Sequence, residues 1–198
     1  MDVSSKVKLL IDEISKLPGI GPKTAERISL YLISMDEQAI DEFINIVRDA
    51  KESIHLCPVC FNITEETVCN ICSNANRDHS IICVVEEVGD LFAIEKGGEY
   101  SGVYHVLHGR IDPLNHISPE DIKIRELVKR VSEGGIKEVI IATNPNFNGD
   151  LTATYLKKVL TPYDIKVTRI ATGLPKGVEI DFVDSVTLSL AIKERKEA

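Results

Sequence analysis

The apolar positions of the first fifty residues recur with a helical period. Val7, Leu10, Ile11, Ile14 and Leu17 fall on one face, with Ser4 or Ser5 available as N-cap, and predict a helix that stops at Pro18. Gly19-Ile20-Gly21-Pro22-Lys23 then reads as a hairpin: its glycines can take positive φ, and Pro22 can occupy the first position of the next helix. Ala25, Ile28 and Leu32 supply the buried face of that helix. Asp36 caps a third, carried by Ile40, Phe43, Ile44 and Val47 at i, i+3, i+4, i+7 spacing. Beyond Arg77 the pattern changes. Ile81 to Glu86 reads as a buried strand, Val88 to Glu95 as a helix and Val103 to Leu107 as a strand. Ser118-Pro119-Glu120-Asp121 has the form of a helix start, leading through Leu127, Val128 and Val131 to Gly134-Gly135. Val139 to Ala142 is a strand, Asp150 to Leu160 a helix and Val167 to Ala171 a strand. Such alternation implies a parallel sheet covered by helices, with ligands expected beyond the carboxyl ends of the strands. Val178 to Asp184 alternates apolar and acidic residues as a half-exposed edge strand does, and Lys193 to Glu197 reads as a solvated helix end.

Between the helical and alternating parts stand Cys57-Pro-Val-Cys60 and Cys69-Asn-Ile-Cys72. A C-x-x-C turn brings two thiolates to one side of a tight knuckle, and two knuckles supply the tetrahedral four-sulfur shell that zinc prefers. Four protein ligands leave no position for water, so the expected zinc, one per chain, is structural. The intervening Phe61 to Val68 is too polar to form a core, so metal binding would supply its folding free energy. Two disulfides, an iron–sulfur cluster or free thiols are the other states of such a set. Disulfides need an oxidising compartment, and Met-Asp-Val-Ser-Ser-Lys is no apolar signal region, so a cytoplasmic chain is expected. Cys83, inside Ile81-Ile82-Cys83-Val84-Val85, reads as a small buried hydrophobe.

The chain has 198 residues, 43% hydrophobic and 27% charged, and no apolar stretch approaches the length of a membrane span. Its net charge of −8 counts against coating nucleic acid over the whole surface, so any DNA contact must be focused. The hairpin offers one such focus. Leu17-Pro18-Gly19-Ile20-Gly21-Pro22-Lys23-Thr24-Ala25 resembles the helix–hairpin–helix DNA-binding motif. The chemistry follows from the residues: Gly19 and Gly21 let backbone N–H groups approach a phosphate, the N-terminus of the next helix adds partial positive charge, and Lys23 and Arg27 lie one turn apart on one side. Such contacts position the backbone without reading bases, so binding should be sequence-independent and salt-sensitive. The plainer alternative is an αα-corner whose glycines serve packing.

At the expected strand ends stand Glu86, Glu87 and Asp90, and later Asn148-Gly149-Asp150. This part resembles the Toprim domain, in which a strand-end glutamate and an Asp-x-Asp pair hold magnesium during phosphoryl transfer. Glu86 matches the glutamate and Asp150 one acid of the pair, whereas Asn148 replaces the other and lowers the charge available to a divalent ion. The bland reading is of surface carboxylates capping helices.

In order, hairpin, four-cysteine knuckle and Toprim-like sheet are similar to the RecR family of bacterial recombination mediators. The similarity extends to Val84-Val85-Glu86, Ser101-Gly102-Val103-Tyr104-His105-Val106-Leu107, Pro113-Leu114, Ala142-Thr143-Asn144-Pro145 and the late Gly173-Leu174-Pro175-x-Gly177 leading to Asp184-x-x-Thr187-Leu188. Departures are Asn148, where the family usually has an acid, and His108 and His116, where it commonly has glycine. The resemblance implies a helix–hairpin–helix region at 1–54, a four-cysteine zinc finger at 55–78, a Toprim domain at 79–172 and a C-terminal strand–helix segment at 173–198. It further implies a homotetrameric ring, built through the N-terminal helices and the C-terminal region, that encloses DNA in a bacterial, nucleoid-associated setting. With RecO and RecF such a ring loads RecA onto gapped DNA covered by single-strand binding protein, without chemistry of its own. Glu86, Asp90 and Asp150 are then partner-binding or vestigial. Two other readings remain: a magnesium-dependent Toprim enzyme acting on phosphodiesters, and a zinc-stabilised adaptor whose hairpin touches protein. No G-x-x-x-x-G-K-[ST] loop is present, which argues against ATP hydrolysis by the chain alone.

Overall fold

The computed structural model describes residues 4–171, 173–174, 177–193 and 195. Pro175 of the late Gly-Leu-Pro motif and Glu194, Lys196 and Glu197 of the charged end lie outside the described residues. The chain forms two compact units, residues 1–54 and 55–198.

The first unit holds α1 (Ser5–Ser15), α2 (Pro22–Ser34) and α3 (Glu37–Ser53). Asp36 caps α3 by accepting from the Ala39 N–H at 2.8 Å. Ser4 stands at the N-cap of α1 without a side-chain cap bond. Only Ile14, Ala25 and Ser29 are buried among the described residues of this unit. Ser29 is tolerated there because its hydroxyl donates to the Ala25 carbonyl one turn back. Leu17, expected on the buried face of the first helix, lies past its end and is exposed, and no residue of α3 is buried. Phe43, Ile44, Ile46 and Val47 all remain open to solvent. The periodicity of α3 is real, but the described residues do not cover the face it creates.

In the second unit a two-stranded ladder, β1 (His55–Leu56) with β2 (Ile63–Thr64), and the short α4 (Asn70–Ser73) build the cysteine knuckle. The rest alternates as expected: β3 (Asp78–Val85), α5 (Val88–Gly97), β4 (Gly102–Val106), α6 (Ile124–Ser132), β5 (Glu138–Ala142), α7 (Phe147–Leu160), β6 (Lys166–Arg169) and α8 (Ser185–Lys193). The sheet is wholly parallel with strand order β4-β3-β5-β6. Val85 pairs with Val106 on one side and with Ala142 on the other, so the carboxyl ends of three strands are level. Ile82, Val84 and Val85 of the central strand are fully buried, as continuous apolar runs in parallel sheets are. Cys83 lies among them and burial pushes its thiol up to about 12, in keeping with a packing role.

Two local expectations change. Ser118 to Asp121 is a turn, and α6 begins only at Ile124. The Asp121 carboxylate accepts from both the N–H and the hydroxyl of Ser118, satisfying locally the groups that would have capped a helix. Val178 to Asp184 contains a 3-10 turn at Ile180–Phe182 in place of a strand, so the last strand of the described chain is β6 and its last helix α8. No helix among the described residues is long and apolar enough to cross a membrane.

Candidate metal centre and nucleic-acid interface

Four sulfurs converge in the knuckle. Cys57, Cys60, Cys69 and Cys72 place their Sγ atoms within 4.8 Å of one another, the first three buried and Cys72 partly so. Backbone turns make the convergence: Phe61 N–H donates to the Cys57 carbonyl and Ser73 N–H to the Cys69 carbonyl, each closing one C-x-x-C loop. Cys60 and Cys69 Sγ lie 3.4 Å apart, well beyond the ~2.05 Å of a disulfide. A tetrahedron with Zn–S bonds of about 2.3 Å has S···S edges of roughly 3.8 Å, which the observed cluster meets with small side-chain movements. Clustered thiolates fit the cavity poorly without a cation. The Cys72 sulfur and burial together push the Cys60 thiol well up, and burial raises Cys69 to about 11. Burial also acts on Cys57, yet the N–H groups of Cys69, Cys60 and Val59 outweigh it and hold that thiol down, at about 7. Such a cluster has its charge balance completed by a dication.

The knuckle is fastened to the sheet. Val106 N–H donates to the Cys60 carbonyl at 2.8 Å, so the knuckle occupies the outer side of β4. Arg130 donates to the Tyr104 carbonyl at 2.7 Å. Below it, Arg77 forms a bidentate pair with Glu95 and donates to the Gly102 carbonyl. Burial opposes ionisation of Glu95, but Arg77 and the Tyr104 hydroxyl, 2.6 Å away, win and hold it below the usual carboxylate range.

At the level strand ends Glu86 is buried, only 1% exposed. Its carboxylate accepts from the Asn144 backbone N–H and from Asn144 Nδ2, each at 2.9 Å, and Arg110 Nη1 lies 3.5 Å away. Gly149 makes this possible: a Cβ there would lie 2.0 Å from the Asn144 carbonyl oxygen and 2.9 Å from Glu86 Oε1. Glu87 and Asp90 form a reciprocal capping box at the start of α5. Asp150, in the first turn of α7, is ion-paired with Arg169 at 2.6 Å. The three predicted acids are therefore engaged separately. Among the described residues the four cysteines are the one group of three or more ligating side chains that converges.

In the first unit Gly19 takes φ +78° and turns the chain, whereas Gly21, expected to share that freedom, has φ −80° and serves as N-cap of α2 with Pro22 behind it. Lys23 and Arg27 are exposed, and no carboxylate of the described residues lies within ion-pair distance of either.

The sequence matches four family models in the order of these parts: RecR helix-hairpin-helix over 7–51, the RecR four-cysteine zinc finger domain over 54–74, Toprim domain over 80–171 and RecR C-terminal over 173–196. The chain belongs to the RecR family. The match to the RecR zinc finger and the four converging sulfurs together assign one structural zinc to the knuckle. RecR domain organisation fits a recombination-repair role and a non-catalytic mediator. His108 and His116 have φ +55° and +57°, the left-handed region that glycine adopts without cost. Sequence reading missed Asn144, Arg110 and Arg169 as the groups that engage the Toprim acids. Asn144 stands in a family phrase, but Arg169 carries no local signal, being 19 residues from its partner.

Proposed function

We propose that this RecR chain is a DNA clamp and recombination mediator that closes into a homotetrameric ring and, with RecO and RecF, promotes loading of RecA onto gapped DNA. The observation that carries the DNA contact is the hairpin: Gly19 at positive φ, Gly21 and Pro22 opening a thirteen-residue helix, and the exposed Lys23 and Arg27 near its N-terminus, with no described carboxylate within ion-pair distance of either. A chain of net charge −8 must hold DNA at focused sites, and repeating one modest site around a ring raises affinity through effective concentration. Ring closure is supported by the uncovered apolar faces of α3 and α8, neither of which has a buried residue, since two distinct self-contacts per chain suffice for a closed assembly. Absence of chemistry is supported at the Toprim end by the donors that saturate Glu86 and the cation paired with Asp150. Asp150, its side chain 60% exposed, is the acid best placed to receive basic residues of RecO.

Fluorescence anisotropy of a tailed duplex across a salt series tests the clamp. Wild type should bind with a steep salt slope, and Lys23→Ala/Arg27→Ala should lower that slope by about two units per engaged chain and weaken binding at least tenfold. A variant with wild-type affinity and slope removes the hairpin from the interface. Failure of both proteins to bind at low salt replaces the clamp by a partner-dependent or adaptor role.

A further inference from the structure

Two left-handed residues that carry a Cβ face each other across the seam between knuckle and sheet. Phe61 has φ +63° and His108 φ +55°, and the His108 ring Nε2 donates to the Phe61 carbonyl at 2.7 Å. Left-handed backbone at such residues persists only where the surroundings fix it. Around this contact the seam is dense: the Phe61 ring meets His105 edge-on at 5.3 Å, and the Lys123 ammonium stands 5.4 Å from the Phe61 centroid. From His108 the chain runs directly into the Toprim cleft. Gly109 N–H donates to the Glu86 carbonyl, Arg110 reaches the Glu86 carboxylate, and Ile111 N–H donates to the Thr152 hydroxyl on α7. The loop 107–111 is thus gripped by the knuckle on one side and by Glu86 and α7 on the other.

We infer that the zinc knuckle is a support of the Toprim cleft: metal held by the four cysteines fixes the Phe61 carbonyl, and His108 transmits that position to the loop that sets Arg110 against Glu86. His108 is a positioning residue: its ring donates across the seam to the Phe61 carbonyl. The cleft and the zinc site, distinct in sequence, form one mechanical unit. Glu86 gains the Arg110 cation through it.

Hydrogen exchange read by mass spectrometry on the full chain tests the coupling, comparing zinc-loaded wild type, zinc-loaded His108→Asn and wild type stripped with a chelator. Asparagine tolerates the left-handed region, but its side chain ends short of the Phe61 carbonyl. His108→Asn should keep one zinc per chain and exchange about tenfold faster across residues 106–111, with 138–142 and 166–171 unchanged. Zinc removal should reproduce that local pattern, and it reads the coupling without any substitution should the variant fail to fold. Unchanged exchange across 106–111 in the variant, continued protection of the loop after zinc removal, or equal acceleration of β5 and β6 would each overturn the inference.

Discussion

Replacing Gly149 by alanine sets two effects of opposite sign against each other. Intrinsic helix propensity favours alanine by about 1 kcal/mol, so Gly→Ala in a helical turn usually stabilises. At this position the added Cβ would sit 2.0 Å from the Asn144 carbonyl oxygen, and a backbone atom cannot rotate aside. Either the first turn of α7 or the Asn144 loop must move by about 1 Å or more, to reach ordinary contact. The second movement draws two amide donors away from a carboxylate that is 1% exposed. Overpacking costs about 1–3 kcal/mol, and a hydrogen bond to a buried charge is worth about 1.5–3 kcal/mol. After the propensity gain is subtracted, a net loss of about 1.5–5 kcal/mol is expected. For a chain of this size that lowers Tm by roughly 3–20 °C. Guanidinium and thermal unfolding of the zinc-loaded protein, followed by circular dichroism, measure it. Gly89→Ala is the matched control, since Gly89 also lies in the first turn of a helix and its Cβ would meet nothing within 4 Å. If Gly149→Ala proves as stable as wild type while Gly89→Ala behaves as expected, close approach at Gly149 is not what holds Asn144 on Glu86.

His105 is buried with its Nε2 donating to the Lys123 carbonyl, and burial depresses its pKa to about 4. The unfolded chain takes up this proton near pH 6.5 and the folded chain only near 4. Stability should therefore fall as pH drops between those values, by up to about 3 kcal/mol from this group. His105→Gln should show a shallower decline over that window in pH-dependent denaturant titrations, and parallel curves would refute the assignment. His116 caps the Pro113–Asn115 turn at φ +57° with an exposed side chain, so His116→Gly should relieve strain and raise stability by up to about 1 kcal/mol, read as a Tm increase of roughly 2–4 °C. A lower Tm would show that His116 makes a contact worth more than its backbone strain.

What the sequence by itself determined are the features that depend on near neighbours in the chain. C-x-x-C spacing brings two thiolates together whatever surrounds them, Gly-x-Gly-Pro opens a hairpin through backbone freedom and a fixed proline φ, and a period of two or 3.6 marks strand or helix. The metal set, the hairpin and the strand–helix alternation were legible for that reason. Local signals misled where side chains had a nearer option: Ser118 and Asp121 close a turn on each other, and Val178 to Asp184, whose alternation needs a neighbouring strand, forms a 3-10 turn. Only the tertiary structure decided what the acids do. Glu86 meets Asn144 across 58 residues and Asp150 meets Arg169 across 19, so a carboxylate that reads as a metal ligand becomes a loop anchor or half of an ion pair. The seam between Phe61 and His108 spans 47 residues and belongs to the same class. A residue type states which chemistry is available, and the partner that arrives from elsewhere in the chain selects which of it is used.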